Sequence, residues 1–284
     1  MNVKMLVDGL DHPECVAYGP DGFAYAGGEA GEIYRVDVSE AKVAVMGSTG
    51  GFLLGIALDA EANVYACDIA KKAVVRITQD GKTSVVSTGI LSRPMVHPNY
   101  PVFDSRGMLY VSDSGVWPEG GGCIYRIHPN GETAVWATSC PQFTNGLALS
   151  ADEGYLYVVE STLPGITRLP IGIDGRAGPV ELVSSMPGTV PDGLAFDRDG
   201  RLYVGCYRPD RIYRIDPGNA PVIVADDFQG TALSAPTNLA FIGSTLDRLL
   251  IASLGRWHLS VMPVDIPGQP LHYPIFSASA GEGG

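Results

Sequence analysis

The chain has 284 residues, and its 19 Lys and Arg against 31 Asp and Glu leave a net charge of −12 with neutral histidine. This acidic balance supplies no basic patch, which argues against nucleic acid and anionic membranes as partners. The 36 Gly and 21 Pro are typical of a chain with many turns and little helix.

A short pattern, x-G-[IL]-A-[FLY], occurs in six approximate copies along the chain. The copies begin at residues 14, 54, 99, 145, 192 and 237, so the repeat length is 40 to 47 residues. Each copy predicts a first strand. Turns such as Pro20-Asp21-Gly22 and Arg198-Asp199-Gly200 predict a hairpin from it to a second strand.

Two more strands follow in each repeat. The third contains an arginine in five copies and is degenerate in the sixth, and a fourth, outer strand follows in most. Six such units predict an all-β, six-bladed β-propeller with four antiparallel strands per blade, closed into a ring. We predict one domain over residues 1–276 and a flexible tail at 277–284. Residues 4–7 are expected to complete a blade with the C-terminal strands, and residues 271–276 to supply a late strand.

Antiparallel blades place the start of every first strand at one mouth of the central channel. The predicted ring there consists of Glu14, Leu54, Asn99, Asn145, Asp192 and Thr237. Buried carboxylates near the axis are costly unless a cation or another partner neutralises them. Glu14, Asn145 and Asp192 offer oxygen ligands with a formal charge of −2, which suits one divalent hard cation. The alternative is that these side chains only cap strand ends and turns.

These residues also carry a resemblance. Glu14 in His-Pro-Glu-Cys-Val, Asn145 in Thr-Asn-Gly-Leu-Ala-Leu-Ser and Asp192 in Pro-Asp-Gly-Leu-Ala-Phe-Asp are similar to motifs of the gluconolactonase/regucalcin family. This family is also described as senescence-marker-protein/gluconolactonase/luciferin-regenerating-enzyme-like. The resemblance implies a six-bladed propeller, one divalent metal held by these three residues, and hydrolysis of lactones. It further implies that Asn99 contacts substrate or a water molecule at the metal.

The chain departs from that family in the third repeat. The family commonly has Arg-x-Asn-Asp there, whereas this chain reads His97-Pro98-Asn99-Tyr100. Since arginine and histidine differ in donor geometry and permanent charge, a sugar lactone is put in doubt as the substrate. We expect His97 and Tyr100 to face the substrate.

Loops over the same mouth supply further candidates for substrate binding. They are Trp117, Phe143, Tyr207, Arg208 and Trp257. Packing between blades is the alternative for each aromatic residue.

The expected chemistry is the polarisation of a lactone carbonyl by the cation, or activation of a water molecule, with Asp192 helping to move the proton. Asp192 is then both ligand and candidate base. Asp113 and Glu160, which end second strands at this mouth, are expected to orient the ligands. Glu29 and Asp68 are interpreted as solvated loop acids, and His12, His128, His258 and His272 as structural.

The predicted function is hydrolysis of a lactone or related cyclic ester, with Ca²⁺ preferred and Zn²⁺, Mn²⁺, Mg²⁺ or Fe²⁺ as alternatives. A non-catalytic binding propeller with a structural cation, and a metal-dependent lyase or isomerase, remain open. No protein partner is evident.

Location is predicted from the cysteines and from the N-terminus. Five scattered cysteines without C-x-x-C predict buried, reduced thiols and a cytoplasmic protein. No apolar run is long enough for a transmembrane helix, and acids and a proline stand where a signal peptide needs an apolar core.

Overall fold

The computed structural model describes residues 2–276, and every regular element among them is a strand. Six four-stranded antiparallel sheets are arranged as the blades of a propeller, as the repeats predict. The predicted tail at 277–284 lies outside the described residues. No helix in the described part of the chain is long and apolar enough to cross a membrane.

The strands are numbered in chain order, and the N-terminal strand is β1 (Lys4–Asp8). The first blade is built from β2 (Cys15–Tyr18), β3 (Ala24–Gly27), β4 (Glu32–Asp37) and β5 (Lys42–Ser48). The second is built from β6 (Leu53–Leu58), β7 (Val64–Asp68), β8 (Ala73–Ile77) and β9 (Thr83–Ser87). A short hairpin, β10 (Gly89–Ile90) and β11 (Arg93–Pro94), precedes the third blade, which is built from β12 (Pro98–Phe103), β13 (Leu109–Val116), β14 (Gly120–Ile127) and β15 (Thr133–Ala137).

The remaining blades follow the same order. The fourth is built from β16 (Thr144–Leu149), β17 (Tyr155–Glu160), β18 (Gly165–Pro170) and β19 (Glu181–Ser185). The fifth is built from β20 (Val190–Phe196), β21 (Leu202–Arg208), β22 (Arg211–Ile215) and β23 (Val222–Asp226). The sixth contains β24 (Pro236–Ile242), β25 (Arg248–Ser253) and β26 (His258–Pro263).

The ring closes through the N-terminus, as predicted. Strand β1 pairs antiparallel with β26 and becomes the outer strand of the sixth blade, with Lys4 opposite Val261 and Asp8 opposite His258. The sixth blade therefore combines a strand from before the first repeat with three strands of the last repeat. In every blade the inner strand lies at one edge of the sheet and the outer strand at the other.

The core lies between neighbouring blades. Tyrosines of the second and third strands are among the largest fully buried side chains, and they include Tyr25, Tyr110, Tyr125 and Tyr203. The hydroxyl of Tyr125 donates to the carbonyl of Arg93 at 2.9 Å, so the apolar ring is buried while its polar end is satisfied. All five cysteines are free and buried, in agreement with the prediction.

The predicted late strand at residues 271–276 is wrong. This segment has no regular structure, and Pro263, Pro267, Pro270 and Pro274 remove donors that a strand would need. It instead crosses the mouth opposite the predicted ring. The backbone N–H of Gln269 donates to Phe196 O at 2.9 Å, and the Tyr273 hydroxyl donates to Tyr18 O at 2.6 Å. We call residues 269–273 the strap. Between the strap and the inner strands lies a largely apolar cavity of about 490 Å³.

Candidate metal and catalytic centre

A β-bulge recurs at the start of the inner strand in five of the six blades. In the fourth blade Thr144 is opposite Glu160 and Leu147 is opposite Val158. Asn145 and Gly146 are therefore two residues opposite the single residue Val159. A classic bulge re-aims side chains at the edge of a sheet. The first residues of the five bulges are Leu54, Asn99, Asn145, Asp192 and Thr237. Glu14 directly precedes β2, so the structure brings the six predicted ring positions to one mouth.

The second bulge residue controls how closely the inner strands approach. It is glycine in the second, fourth and fifth blades. A Cβ on Gly193 would lie 2.8 Å from the Cα of Asn238, and one on Gly55 would lie 2.7 Å from the Cα of Tyr100. These are closer than real Cβ atoms come to other atoms. The glycines of the repeat therefore let neighbouring inner strands, and the side chains that they carry, converge.

Four buried side-chain oxygens on the inner strands at this mouth have no hydrogen-bond partner among the described residues. They are Oδ1 of Asn99, Asn145, Asp192 and Asn238. Each of the four side chains belongs to a different blade, and each residue is no more than 7% exposed. Unsatisfied buried oxygens are rare in native proteins. A set of amide and carboxylate oxygens is what a hard divalent cation binds, so these residues fit the predicted metal.

The electrostatics of Glu14 and Asp192 agree with that fit. Burial raises the pKa of Asp192 from 3.8 to about 7. Burial, and then the charge of Asp192, raise the pKa of Glu14 well above its usual value, while a hydrogen bond from Asn238 opposes the rise. No Lys, Arg or His of the described chain forms a salt bridge with either carboxylate. Two buried acids without a counter-charge form a site that a divalent cation would neutralise.

Two residues that the sequence analysis did not single out orient the candidate ligands. The Ser161 hydroxyl donates to Pro191 O at 2.7 Å and accepts from Asn145 Nδ2 at 3.1 Å. This leaves Asn145 Oδ1 as the free end of the amide. Asn238 Nδ2 donates to Glu14 Oε2 at 3.2 Å and to Glu14 O at 3.1 Å. Asn238 stands where three other repeats have glycine, and this departure from the pattern was the available signal.

Acids at the ends of second strands hold the loops that lead into the inner strands. Asp113 accepts from Val96 N at 2.7 Å and from His97 N at 3.1 Å. Glu160 accepts from Gln142 N at 3.0 Å. Both carboxylates thus bind backbone next to the ligand-bearing strands rather than the ligand side chains.

Asp68 occupies the equivalent position in the second blade, and its interpretation as a solvated acid is wrong. It is fully buried and accepts from Phe52 N at 3.3 Å and from Lys71 N at 3.0 Å. Its Oδ1 binds the backbone of the loop that enters β6 and of the turn that follows β7, whereas its buried Oδ2 has no hydrogen-bond partner among the described residues.

Three of the predicted substrate residues come together above the third and fourth blades. The ring centroids of His97 and Phe143 are 5.6 Å apart, and those of Trp117 and Phe143 are 4.9 Å apart, both edge to face. Burial lowers the pKa of His97. Phe143 has a φ of 57°, which is uncommon for a bulky residue and occurs preferentially at functional sites.

The other predicted substrate residues are separated from this group. Tyr100 points into the channel, where it lines the cavity below, and it is 9% exposed. Tyr207 and Arg208 contact each other, and Arg208 Nη1 donates to Asp210 Oδ1 at 2.8 Å. Trp257 is half-exposed.

The histidines predicted to be structural have protein partners in three cases. His258 Nε2 is 3.2 Å from Ala232 O, and His272 Nε2 is 2.9 Å from a Glu153 carboxylate oxygen. His12 lies against Trp257 and near Asp11 and Glu29, whose possible ligand atoms are all within 4.8 Å of one another. That trio is partly exposed and lacks the unpartnered buried oxygens of the central site.

A known family matches most of the chain. A model described as the SMP-30/gluconolactonase/LRE-like region matches residues 29–255, and a strictosidine synthase-like, N-terminal model matches residues 3–36. A lactonase drp35 from Staphylococcus haemolyticus is 29% identical over 133 residues, which is 43% of this chain and 39% of that protein. The match thus spans about two fifths of the length of that curated relative.

Solved structures share the fold. A gluconolactonase from Xanthomonas campestris superposes with a TM-score of 0.78 at 22% identity, covering 93% of this chain and 89% of that one. A calcium-binding regucalcin from Agrobacterium tumefaciens also has a TM-score of 0.78, at 18% identity, covering 96% and 97% of the two chains. Since the first family model matches most of the chain, this protein belongs to the SMP-30/gluconolactonase/LRE-like family.

Proposed function

We propose that this protein is a metal-dependent hydrolase of lactones or related cyclic esters, with the reaction at the mouth that carries Glu14, Asn145 and Asp192. The observation that carries the proposal is the set of unpartnered buried oxygens beside two buried carboxylates. Relatives that are named lactonases and gluconolactonases support the reaction class.

Glu14, Asn145 and Asp192 would hold the cation, and Asn99 and Asn238 are placed to add oxygens. Ca²⁺ is the proposed ion because all of these donors are oxygens. When bound, the cation would polarise the lactone carbonyl and lower the pKa of a water molecule. Ser161 keeps the Asn145 amide turned so that its oxygen stays available.

Asp192 is the proposed base. Its Oδ1 is buried and has no hydrogen-bond partner among the described residues, so the carboxylate is not committed to another group of the protein. Water adds to the carbonyl carbon while its proton passes to the Asp192 carboxylate. The ring C–O bond then breaks, and the proton is returned to the leaving oxygen, which yields the hydroxy acid. Asn99 Oδ1 lies at the same mouth and can accept a hydrogen bond from substrate or water.

The test is a lactone panel followed by proton release, with protein stripped by a chelator and then reloaded with Ca²⁺, Zn²⁺, Mn²⁺, Mg²⁺ or Fe²⁺. Turnover is expected only after reloading, and Asp192→Asn is expected to abolish it. Glu29→Gln, which removes an exposed acid at the same mouth, is the matched control and should retain activity. Negligible turnover on every lactone with every metal would reject the hydrolase and leave a binding propeller.

Mass spectrometry of the products distinguishes hydrolysis from a lyase or isomerase reaction. Hydrolysis adds one water to the substrate, whereas elimination or isomerisation within the ring leaves the mass unchanged. An isomeric product would replace the hydrolase with a lyase or isomerase. A cytoplasmic location is proposed on the five free thiols.

A further inference from the structure

Three aromatic side chains form a continuous surface above two of the candidate ligands, and we call His97, Trp117 and Phe143 the aromatic wall. His97 precedes Asn99 by two residues, and Phe143 precedes Asn145 by two residues. The two rings meet with centroids 5.6 Å apart, and the indole of Trp117 packs on Phe143 at 4.9 Å. The wall therefore stands beside the mouth where the reaction is proposed.

The wall is open to solvent at one end. Phe143 is 8% exposed, whereas Trp117 is 53% exposed. Trp117 is carried by the hairpin of β13 and β14, which are the two longest strands of the described chain at eight residues each. The pairs Gly115–Gly121 and Val116–Gly120 extend this hairpin beyond its blade. The extension positions a large apolar ring that packs on Phe143 with one side and is 53% exposed.

The buried carboxylates near the wall already bind groups of the protein, and Glu119, in the hairpin turn, is exposed. Both Asp113 oxygens accept backbone N–H groups of Val96, His97 and Gly115. Glu160 accepts from Gln142 N and from the Thr167 hydroxyl. These buried carboxylates are therefore not available to bind the hydroxyls of a sugar.

Arg208 is likewise engaged, since its Nη1 donates to Asp210 Oδ1 and to Tyr207 O. Desolvating the hydroxyls of a sugar without giving them new partners is unfavourable, whereas an apolar group gains from contact with the wall.

We propose that the aromatic wall binds an alkyl or aryl substituent of the substrate, so that the preferred substrates are hydrophobic lactones rather than polyhydroxylated sugar lactones. This rests on the proposed lactonase function. Transfer of one methylene from water to an apolar surface corresponds to about a fourfold gain. We therefore expect kcat/KM to rise by up to about fourfold for each methylene that reaches the wall.

The experiment compares γ-lactones whose side chains lengthen from methyl to octyl, with glucono-δ-lactone as the polyhydroxylated competitor. In the calcium-loaded protein, kcat/KM is expected to rise with chain length and to exceed that for glucono-δ-lactone. Trp117→Ala should flatten the rise and lower kcat/KM at least tenfold for the longest chains, with little effect on the methyl compound. Trp117→Phe should restore part of the rise.

Two controls separate the wall from the chemistry. Phe228→Ala removes a fully exposed aromatic ring outside the wall and should leave the chain-length dependence unchanged. Binding of an octyl-substituted γ-lactam, which resists hydrolysis, is measured by calorimetry and should weaken at least tenfold in Trp117→Ala but not in Phe228→Ala.

The outcomes are distinguishable. A preference for glucono-δ-lactone, or a Trp117→Ala protein with unchanged chain-length dependence and unchanged lactam binding, would overturn the wall while leaving the hydrolase intact. If no lactone is hydrolysed but the lactam binds through Trp117, the proposed function fails and the apolar binding surface stands.

Discussion

Replacement of Asp192 by asparagine is expected to stabilise the metal-free protein while it removes the proposed activity. The pKa of Asp192 lies near 7 in the folded chain because of burial, about three units above its value of 3.8 when exposed. Each unit corresponds to 1.36 kcal/mol, so holding this carboxylate ionised in the folded state costs about 4 kcal/mol. Asparagine carries no charge and avoids that cost.

The sign of the pH dependence follows from the raised pKa. The folded state binds the Asp192 proton more tightly than the unfolded state does. The resulting stability is complete below about pH 4 and is lost as the pH rises to about 7. The metal-free parent should therefore unfold at lower urea concentrations at pH 8 than at pH 5. Asp192→Asn should show a smaller decrease, and at pH 8 it should be the more stable protein by up to about 4 kcal/mol.

Calcium should reduce the difference in the free energy of unfolding between Asp192→Asn and the parent. A ligand at one hundred times its dissociation constant stabilises the folded state by about 2.7 kcal/mol, and only the parent is expected to bind it well. The assay is urea unfolding followed by tryptophan fluorescence at pH 5 and pH 8, in chelator and in calcium. Glu29→Gln serves as the control for an exposed acid at the same mouth. If Asp192→Asn were less stable than the parent in chelator at pH 8, the account of an uncompensated buried carboxylate would be refuted.

Three further changes test the supports of the site. Ser161→Ala removes the partner of Asn145 Nδ2 and should weaken calcium binding by about 10- to 100-fold in calorimetry, with the far-UV spectrum unchanged; equal affinity would contradict the orienting role. Gly146→Ala places a Cβ against the backbone of the fifth blade and should lower both stability and calcium affinity; an unperturbed variant would show that the close approach is not needed. Tyr273→Phe removes the hydrogen bond to Tyr18 O and should cost about 1 kcal/mol in urea unfolding without changing calcium affinity; a loss of affinity would mean that the strap acts on the site.

Much of the architecture was predictable because it depends on local, repeated signals. The repeated x-G-[IL]-A-[FLY] pattern and the turns that follow it predict the strands and hairpins, and the six copies predict the number of blades. The closing strand at Lys4–Asp8 was predictable because the sixth repeat shows no fourth strand of its own. Residues 271–276 were mispredicted because apolar content suggested a strand, while the prolines around them prevent a hydrogen-bonded ladder.

The candidate ligands were visible in the sequence, since polar residues at Glu14, Asn145 and Asp192 interrupt an otherwise apolar pattern. The sequence did not show that these residues converge, because their convergence depends on the bulges and on the glycine contacts between different blades. Asn238 and Ser161 act through partners in other blades, Glu14 and Pro191 respectively, which no local pattern reveals.

The burial of Asp68 was likewise not predictable from the sequence. An acid at the end of a strand is usually solvated, and only the tertiary structure shows that this one is buried against the backbone of the loop at Phe52, which enters the inner strand of the same blade. The sequence by itself therefore determined the fold, the number of blades and which residues are unusual for their position. The tertiary structure decided which of those residues meet and which of their oxygens lack a partner, because burial and hydrogen bonding between blades depend on the closed ring.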